Sequence, residues 1–460
     1  MPTSTASYTP TPTATPIPAW SVSLSTDGRL MPGSTLTMPV TIASGSGVSQ
    51  LALTVTFDPS VVAVQDAEVS AAAGPGTVTT DTTVSGAVTL WISLAQPMTA
   101  GGSLVDITFV AVGACPASTG LDITSCVLDA GAIACQPSDG QVSLLCGVGG
   151  RIRHWRTRAP VAGATVALMS AQSSVIAPTN DLGQYSFSDM TAGTLELEPQ
   201  KTGDLQGSVS AYDAAIVLQA VAGWRQLDPM QQLACDVTGN GQVSALDAAR
   251  IMQVAVGALA HFPVADTCGS DWAFVPAPAT LPNQRVVEPR LGTTSCQPGI
   301  IMFDPLLGDA AQQVFTGIPF GDCSGNWNAA SMQRSGLLKL SRDMRVRLGT
   351  ARQRDDGQWA VPLYVASSAP YQAIDAQISY DPAVHPTDLR AVGGAHDAMV
   401  SYQADGNGGL KIALASAVPL AGDGSLVAVL TFDGPPNAAT APLARLLNVA
   451  IDEVPVGVEN

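Results

Sequence analysis

DVTGNGQVSALDAARIMQVAVG (residues 236–257) sets oxygen-bearing side chains at alternate positions, turns at a glycine, and runs on into apolar residues at helical spacing. A loop that wraps a calcium ion supplies oxygens from positions 1, 3, 5, 7, 9 and 12, with glycine at position 6 for the sharp turn. Counted from Asp236, those places hold Asp236, Thr238, Asn240, Gln242 through its carbonyl, Ser244 and Asp247, with Gly241 at the turn. Val243, at position 8, is the apolar residue that would face a sister loop.

A sister loop is present. GSVSAYDAAIVLQAVAG (207–223) repeats GQVSALDAARIMQVAVG (241–257) at an offset of 34. Counting back gives Thr202, Asp204, Gln206, Ser208, Ser210 and Asp213 at positions 1, 3, 5, 7, 9 and 12. Thr202 is neutral where a carboxylate is expected, so the 202–213 site is predicted to be the weaker of two Ca²⁺ sites. Between the loops, Asp228-Pro229 reads as a helix cap followed by proline at the first helical position.

Two loop-helix units joined by a short helix resemble a type I dockerin domain, over residues 201–262. The resemblance implies a small α-helical domain with paired EF-hand-like loops, folded by calcium, that binds a cohesin. It also implies partner contacts at loop positions 10 and 11, here Ala211 and Tyr212 in one repeat and Ala245 and Leu246 in the other. These are apolar where clostridial dockerins typically carry hydroxyl residues. The near-identity of the repeats implies that either could face the partner after a half-turn.

The rest of the chain is β-rich in composition: 460 residues, 46% hydrophobic, 12% charged, with 44 Gly and 33 Pro. A formal charge of −17 excludes a nucleic-acid binder, which needs basic patches. No apolar run reaches the length of a membrane span. TPTPTATPIP (9–18) reads as a stiff spacer within a 1–19 linker, and Met1 is not followed by a visible signal peptide. Eight cysteines fall into two groups of four: 115, 126, 135 and 146, then 235, 268, 296 and 323. Neither shows zinc spacing, and even counts suit disulfides formed within each group in an oxidising compartment, with the pairing left open.

Residues 20–148 read as alternating strands such as SQLALTVTF (49–57) and AVTLWISL (87–94), separated by turns. The grammar returns in 333–460. LALTVTFDPSVV (51–62) is matched by IDAQISYDPAVH (374–385), and LWISLAQPMTAGGSLVDITF (90–109) by LKIALASAVPLAGDGSLVAVLTF (410–432). Asp58 to Ser103 spans 45 positions and Asp381 to Ser425 spans 44. The chain carries two copies of one module. Phe57-Asp58-Pro59, Tyr380-Asp381-Pro382 and the Gly-x-Ser-Leu-Val strands leading to Phe109 and Phe432 are similar to the cohesin family, which implies jelly-roll sandwiches that bind dockerins, with relatives that bind carbohydrate. Each Asp-Pro reads as a strand-ending turn, no opening strand is assigned before WAVPLYV (359–365), and Trp91 reads as core.

Residues 149–200, with PVAGATVALMS (160–170) and QYSFS (184–188), resemble a carboxypeptidase regulatory-like (prealbumin-like) sandwich. The basic run RIRHWRTR (151–158) reads as solvated strand or turn. Residues 263–332 read as a short-strand extension packing on the middle modules. Asp322-x-Ser324-x-Asn326 starts like a calcium loop, but no acid follows at position 12, so it reads as an Asx turn.

None of His154, His261, His385 and His396 sits in a ligand or triad motif, and no catalytic motif is present, so a non-enzyme is expected. The combined reading is a mainly β, multi-domain chain: jelly-roll/Ig-like β-sandwiches around a small helical dockerin. It is expected to be an extracellular scaffold that binds cohesin- or dockerin-bearing secreted proteins through calcium-dependent contacts and is linked to polysaccharide degradation. The alternative is a carbohydrate-binding or cell-surface adhesion protein, for which Trp20, Trp91 and Trp359 are the candidate aromatics.

Overall fold

A computed structural model describes residues 19–44, 47–171, 173–190, 193–205, 207–328, 341–436 and 442–459. The spacer read at 9–18 and the ligand candidate Gln206 lie outside the described residues. The chain divides into two compact units: Met1–Val148 with Phe187–Gly193 and Pro305–Ala310, and Gly149–Ser186 with Thr194–Asp304 and Ala311–Asn460.

The first unit is built on strands β1 (Ala19–Ser23), β2 (Gly28–Leu30), β3 (Thr35–Ile42), β4 (Gln50–Thr56), β5 (Val62–Val69), β6 (Gly76–Asp81), β7 (Ala87–Leu94), β8 (Gly102–Ala111), β9 (Ala117–Leu128), β10 (Ala134–Ser138) and β11 (Gly140–Leu144). They form two sheets, ordered β10-β1-β3-β8-β5 and β2-β11-β9-β4-β7-β6. Period-2 patterning decides what is inside: Leu51, Leu53 and Val55 of β4 and Val88, Leu90 and Ile92 of β7 are buried. The same alternation turns Trp91 outward, 48% exposed, against the expectation that it is core. An apolar run hides its period when the outward residue is itself aromatic. Cys115 pairs with Cys146 and Cys126 with Cys135.

The middle module comprises β12 (Cys146–His154), β13 (Thr165–Ser170), β14 (Ser174–Pro178), β15 (Gln184–Met190), β16 (Leu195–Gln200), β17 (Trp272–Pro276), β18 (Gln284–Val287), β19 (Ile300–Phe303) and β20 (Ala310–Pro319). Its sheets run β15-β12-β20-β17 and β14-β13-β16-β19-β18. The segment read as an extension supplies β17 and β20 to one sheet and β18 and β19 to the other, so strands from both sides of the helical region share sheets. Four helices are thereby inserted between β16 and β17: α1 (Ala211–Val221), α2 (Pro229–Cys235), α3 (Ala245–Val256) and α4 (Pro263–Cys268).

The C-terminal module contains β21 (Ser341–Leu348), β22 (Arg352–Gln353), β23 (Trp359–Ser367), β24 (Tyr371–Tyr380), β25 (His385–Ala391), β26 (Met399–Ala404), β27 (Gly409–Leu420), β28 (Asp423–Asp433), β29 (Ala444–Ile451) and β30 (Val454–Glu459). Its order, β25-β28-β23-β21-β30-β29-β24-β27-β26, with β22 off the path on β23, repeats the N-terminal order apart from β2, which has no counterpart. Here β30 pairs parallel with β21 and antiparallel with β29; in the first copy β10 and β11, separated by Asp139, divide those two roles. The opening strand missing from the sequence reading is β21. Aromatic pairs correspond as well: Phe57–Phe109 at 5.9 Å and Tyr380–Phe432 at 5.7 Å between ring centroids. Asp58 and Asp381 cap their turns by accepting from the amides of Ser60 and Ala383.

Candidate metal and docking site

The loop between α2 and α3 folds as its sequence dictates. Ser244 caps α3 and Asp247, three residues on, closes a capping box. The Asp247 carboxylate accepts from the amide and hydroxyl of Ser244 (2.8 and 2.9 Å) and from the amide of Thr238 (2.9 Å). Asp236 accepts from the amides of Asn240 (3.1 Å) and Gly241 (2.7 Å) and from the Thr238 hydroxyl (3.3 Å). Asp236 is 3% exposed and Asp247 fully buried, and among the described residues neither has an ion-pair partner. Burial, with repulsion from Asp247, raises the Asp236 carboxyl against the pull of its amide donors. Two buried carboxylates on one loop, with the Thr238 hydroxyl on Asp236 and the Asn240 side-chain oxygen in the same turn, fit a hard divalent cation.

The first loop departs from the sequence reading. Thr202 is exposed, and Asp204 directs its carboxylate to Lys201 Nζ at 3.1 Å. Lys201 Nζ also donates to the Ala162 carbonyl (2.8 Å) and lies over the Trp272 ring. The buried Ser208 donates its hydroxyl to the Leu205 carbonyl. Asp213 accepts from the Ser210 amide and hydroxyl, both at 2.9 Å, and from the Ser324 amide at 2.8 Å, in place of the 202–208 stretch. The physical reason is local: with no charge at Thr202 and an ammonium at Lys201, Asp204 is neutralised by its own chain neighbour.

The expected partner residues separate into two kinds. Helix α1 lies over β24 and β27, and α3 over β26 and β27. Ala211 is fully buried, in one cluster with Ala373, Ala413 and Ala415 of the C-terminal sandwich. Its amide, at the first turn of α1, donates to both carboxylate oxygens of Asp375 at 3.1 Å each, where the positive end of the helix favours an anion. Burial raises the Asp375 carboxyl to about 7, with the Ala211 amide pulling down and Glu453 and Asp452 pushing up. Tyr212 is half-buried, while Ala245 and Leu246 are exposed. The equivalence of the two repeats is therefore broken: one helix start is covered and the other is open.

Asp375 and Glu453 carry no signal in the sequence, whereas Asp322, Ser324 and Asn326 start like a calcium loop and read as an Asx turn only for want of an acid at position 12. DCSGNW (322–327) repeats DVTGNG (236–241) at an offset of 86. His154, in the run read as solvated, is fully buried with Nε2 3.1 Å from Asp322, while Arg151, Arg153, Arg156 and Arg158 around it are exposed.

The family model for the dockerin type I domain matches residues 203–254, and that for the cohesin domain matches residues 20–143. The chain carries both modules, a β-sandwich cohesin and a small helical dockerin, and these support a role in cohesin–dockerin assembly. Both modules are non-catalytic, and type I dockerins bind Ca²⁺ in EF-hand-like loops. No curated protein matches the chain. Among solved structures it is similar to CaCohA2 from Clostridium acetobutylicum (18% identity, TM-score 0.26, covering 28% of this chain and 91% of that one). It is also similar to a non-cellulosomal cohesin from Archaeoglobus fulgidus (16%, 0.25, 27% and 91%). A third is the sixth cohesin of Acetivibrio cellulolyticus scaffoldin B, in complex with a mutant Cel5 dockerin (16%, 0.24, 27% and 99%). Among the described residues no helix is long and apolar enough to cross a membrane.

Proposed function

We propose that the chain is an extracellular, non-catalytic assembly protein. It keeps its own dockerin docked in cis on its C-terminal cohesin-like sandwich and offers its N-terminal cohesin to a dockerin on another secreted protein, in the service of polysaccharide degradation. The observation that carries this reading is the covered start of α1, with Ala211 buried among Ala373, Ala413 and Ala415 and its amide on Asp375. Four disulfides support an oxidising compartment.

The two sandwiches differ at the decisive position. In the aligned stretches LALTVTFDPSVV and IDAQISYDPAVH, Ala52 stands where Asp375 does. Across the strand pair, Ala52 faces the exposed Trp91, whereas Asp375 faces Ala413. A small-residue face with a carboxylate suits this chain's α1, and an aromatic face suits a different partner. In a pull-down with the full chain in calcium, dockerin-bearing secreted proteins should be retained and Trp91→Arg should release them. Retention that is lost with Leu246→Arg instead would assign capture to the dockerin and overturn the reading.

Trp91 also favours a second reading, carbohydrate binding, because an exposed indole on a sheet face can stack on a sugar ring. Retardation in polysaccharide gels that is lost in Trp91→Ala would establish it, and unaltered mobility would dismiss it.

A further inference from the structure

We propose that the chain holds a second calcium site assembled from three separate stretches: Asp322, Ser324 and Asn326 as loop positions 1, 3 and 5, Ser210 and Asp213 as positions 9 and 12, and Glu453 as an added carboxylate. The proposal rests on the reading of 236–247 as a calcium loop and goes beyond it in naming where the second ion binds.

The intact loop serves as the template. In it, position 1 accepts from the amides of positions 5 and 6 and from the hydroxyl of position 3, while position 12 accepts from the amide of position 3 and from the amide and hydroxyl of position 9. The split arrangement reproduces each of these. Asp322 accepts from the amides of Asn326 (2.9 Å) and Trp327 (3.2 Å) and from the Ser324 hydroxyl (3.3 Å). Asp213 accepts from the Ser324 amide (2.8 Å) and from the Ser210 amide and hydroxyl (2.9 Å each). The glycines at position 4 agree as well, Gly239 at φ 69° and Gly325 at φ 72°, while position 6 is Trp327 where the intact loop has Gly241. The acid that the sequence lacks at position 12 after Asn326 is supplied by Asp213, from more than a hundred residues earlier in the chain.

Two observations besides the loop pattern point to a cation. Asn326 Oδ1 is withdrawn from solvent and has no hydrogen-bond partner, although its amide also serves the Glu453 carboxylate. In the intact loop the corresponding Asn240 oxygen accepts from the Gln242 amide. Asp213 and Asp322 are both fully buried, and Glu453 adds a third carboxylate, 3.0 Å from the Ser210 hydroxyl and 2.8 Å from the Ser324 hydroxyl, whose single protons it shares with Asp213 and Asp322. Among the described residues the ion pair on the cluster is His154 Nε2 with Asp322, at 3.1 Å. Buried carboxylates offset the loss of water by holding a proton or a cation, and an oxygen-only donor set selects a hard cation.

Three carboxylates against the two of the intact loop reverse the order of affinities expected from the sequence: the site that contains Asp213 should be the tighter one. Because Glu453 sits in the turn between β29 and β30, an ion there would join the dockerin, the end of the middle module and the C-terminal sandwich.

The test is calorimetric titration of the chelator-stripped full chain with Ca²⁺, alongside Trp fluorescence, since the Trp327 amide bonds to Asp322. The wild type should take up two ions per chain. Asp322→Asn and Glu453→Gln should each weaken the tighter site by about tenfold or more and remove the fluorescence step, leaving the other site unchanged. Asp247→Asn should remove only the weaker one. Glu453→Gln keeps the shape and can still bond both serines, so it tests the site even if Asp322→Asn misfolds. A single ion lost with Asp247→Asn, or a two-ion isotherm unaltered by Glu453→Gln, overturns the split site while leaving the intact loop standing. No uptake at all would overturn both readings.

Discussion

The Ala211 amide gives its hydrogen to both oxygens of Asp375, and this contact selects which of two nearly identical helix starts meets the C-terminal sandwich. Ala245, at the same place in the other repeat, is exposed. Sequence duplication alone permits either orientation. A carboxylate on β24, absent from the first sandwich where Ala52 stands, breaks the tie.

Docking should therefore depend on pH. Asp375 is raised from 3.8 to about 7 by burial, with Glu453 and Asp452 opposing its ionisation and only the Ala211 amide favouring it. A carboxyl raised in the docked state binds its proton more tightly there than when released. Its contribution to docking is complete below the ordinary carboxylate range and is lost as pH rises through about 7. In chelator, hydrogen exchange of residues 211–217, corrected for intrinsic rate, should be slow near pH 5 and faster near pH 8 by more than that correction. Asp375→Asn should reduce the slope, the remainder belonging to Asp213, Glu453 and Asp452, whose carboxyls burial also raises; an equal slope in that variant would assign the whole dependence to those groups.

Filling the small-residue contact should undock α1 without unfolding either side. Ala413 is fully buried within the cluster shared with Ala211, so Ala413→Leu forces extra volume between β27 and the helix, at about 1–3 kcal/mol. Exchange at 211–217 should rise while the C-terminal sandwich core, with Phe432 and Ile378, keeps its protection. Leu246→Ala, on the open side, should change stability by no more than about 0.5 kcal/mol. The converse ranking, measured by thermal unfolding, would place the docking surface on α3.

The sandwiches were legible in the sequence because period-2 burial and the paired Asp-Pro turns are local signals. The duplicated module was legible because Phe57 and Phe109 have counterparts in Tyr380 and Phe432. The local fold of loop 236–247, its capping box included, was legible because its residues lie within one turn-and-helix. What could not be read was any partnership across distance. Asp213 is reached by Ser324 and Asp322 by His154, and no local spacing encodes either pair. Counting twelve positions back from Asp213 led to Thr202 because a loop count assumes an unbroken chain. The interleaved middle module was illegible on the same ground, since β16 pairs with β19 across the whole helical insertion.

The Cys235–Cys323 disulfide joins the start of loop 236–247 to the start of the proposed split site. Cys235 immediately precedes Asp236, and Cys323 immediately follows Asp322. Both cysteines are fully buried in the dockerin core cluster. The bond closes a separation of 88 residues, which on the chain-entropy account restricts the unfolded chain by about 4–5 kcal/mol. Its second effect is positional: it ties the 322–327 half-loop to the dockerin, so the half-loop reaches Asp213 without a separate ordering cost. Replacing both cysteines by alanine should lower the thermal midpoint by several degrees and weaken calcium at the split site more than at 236–247, whose ligands are contiguous in the chain. Mass mapping of non-reduced peptides should find the 235–323 and 268–296 pairs. If the double variant loses stability but binds calcium at both sites as the wild type does, the bond acts on the unfolded chain alone and has no part in holding the half-loop in place.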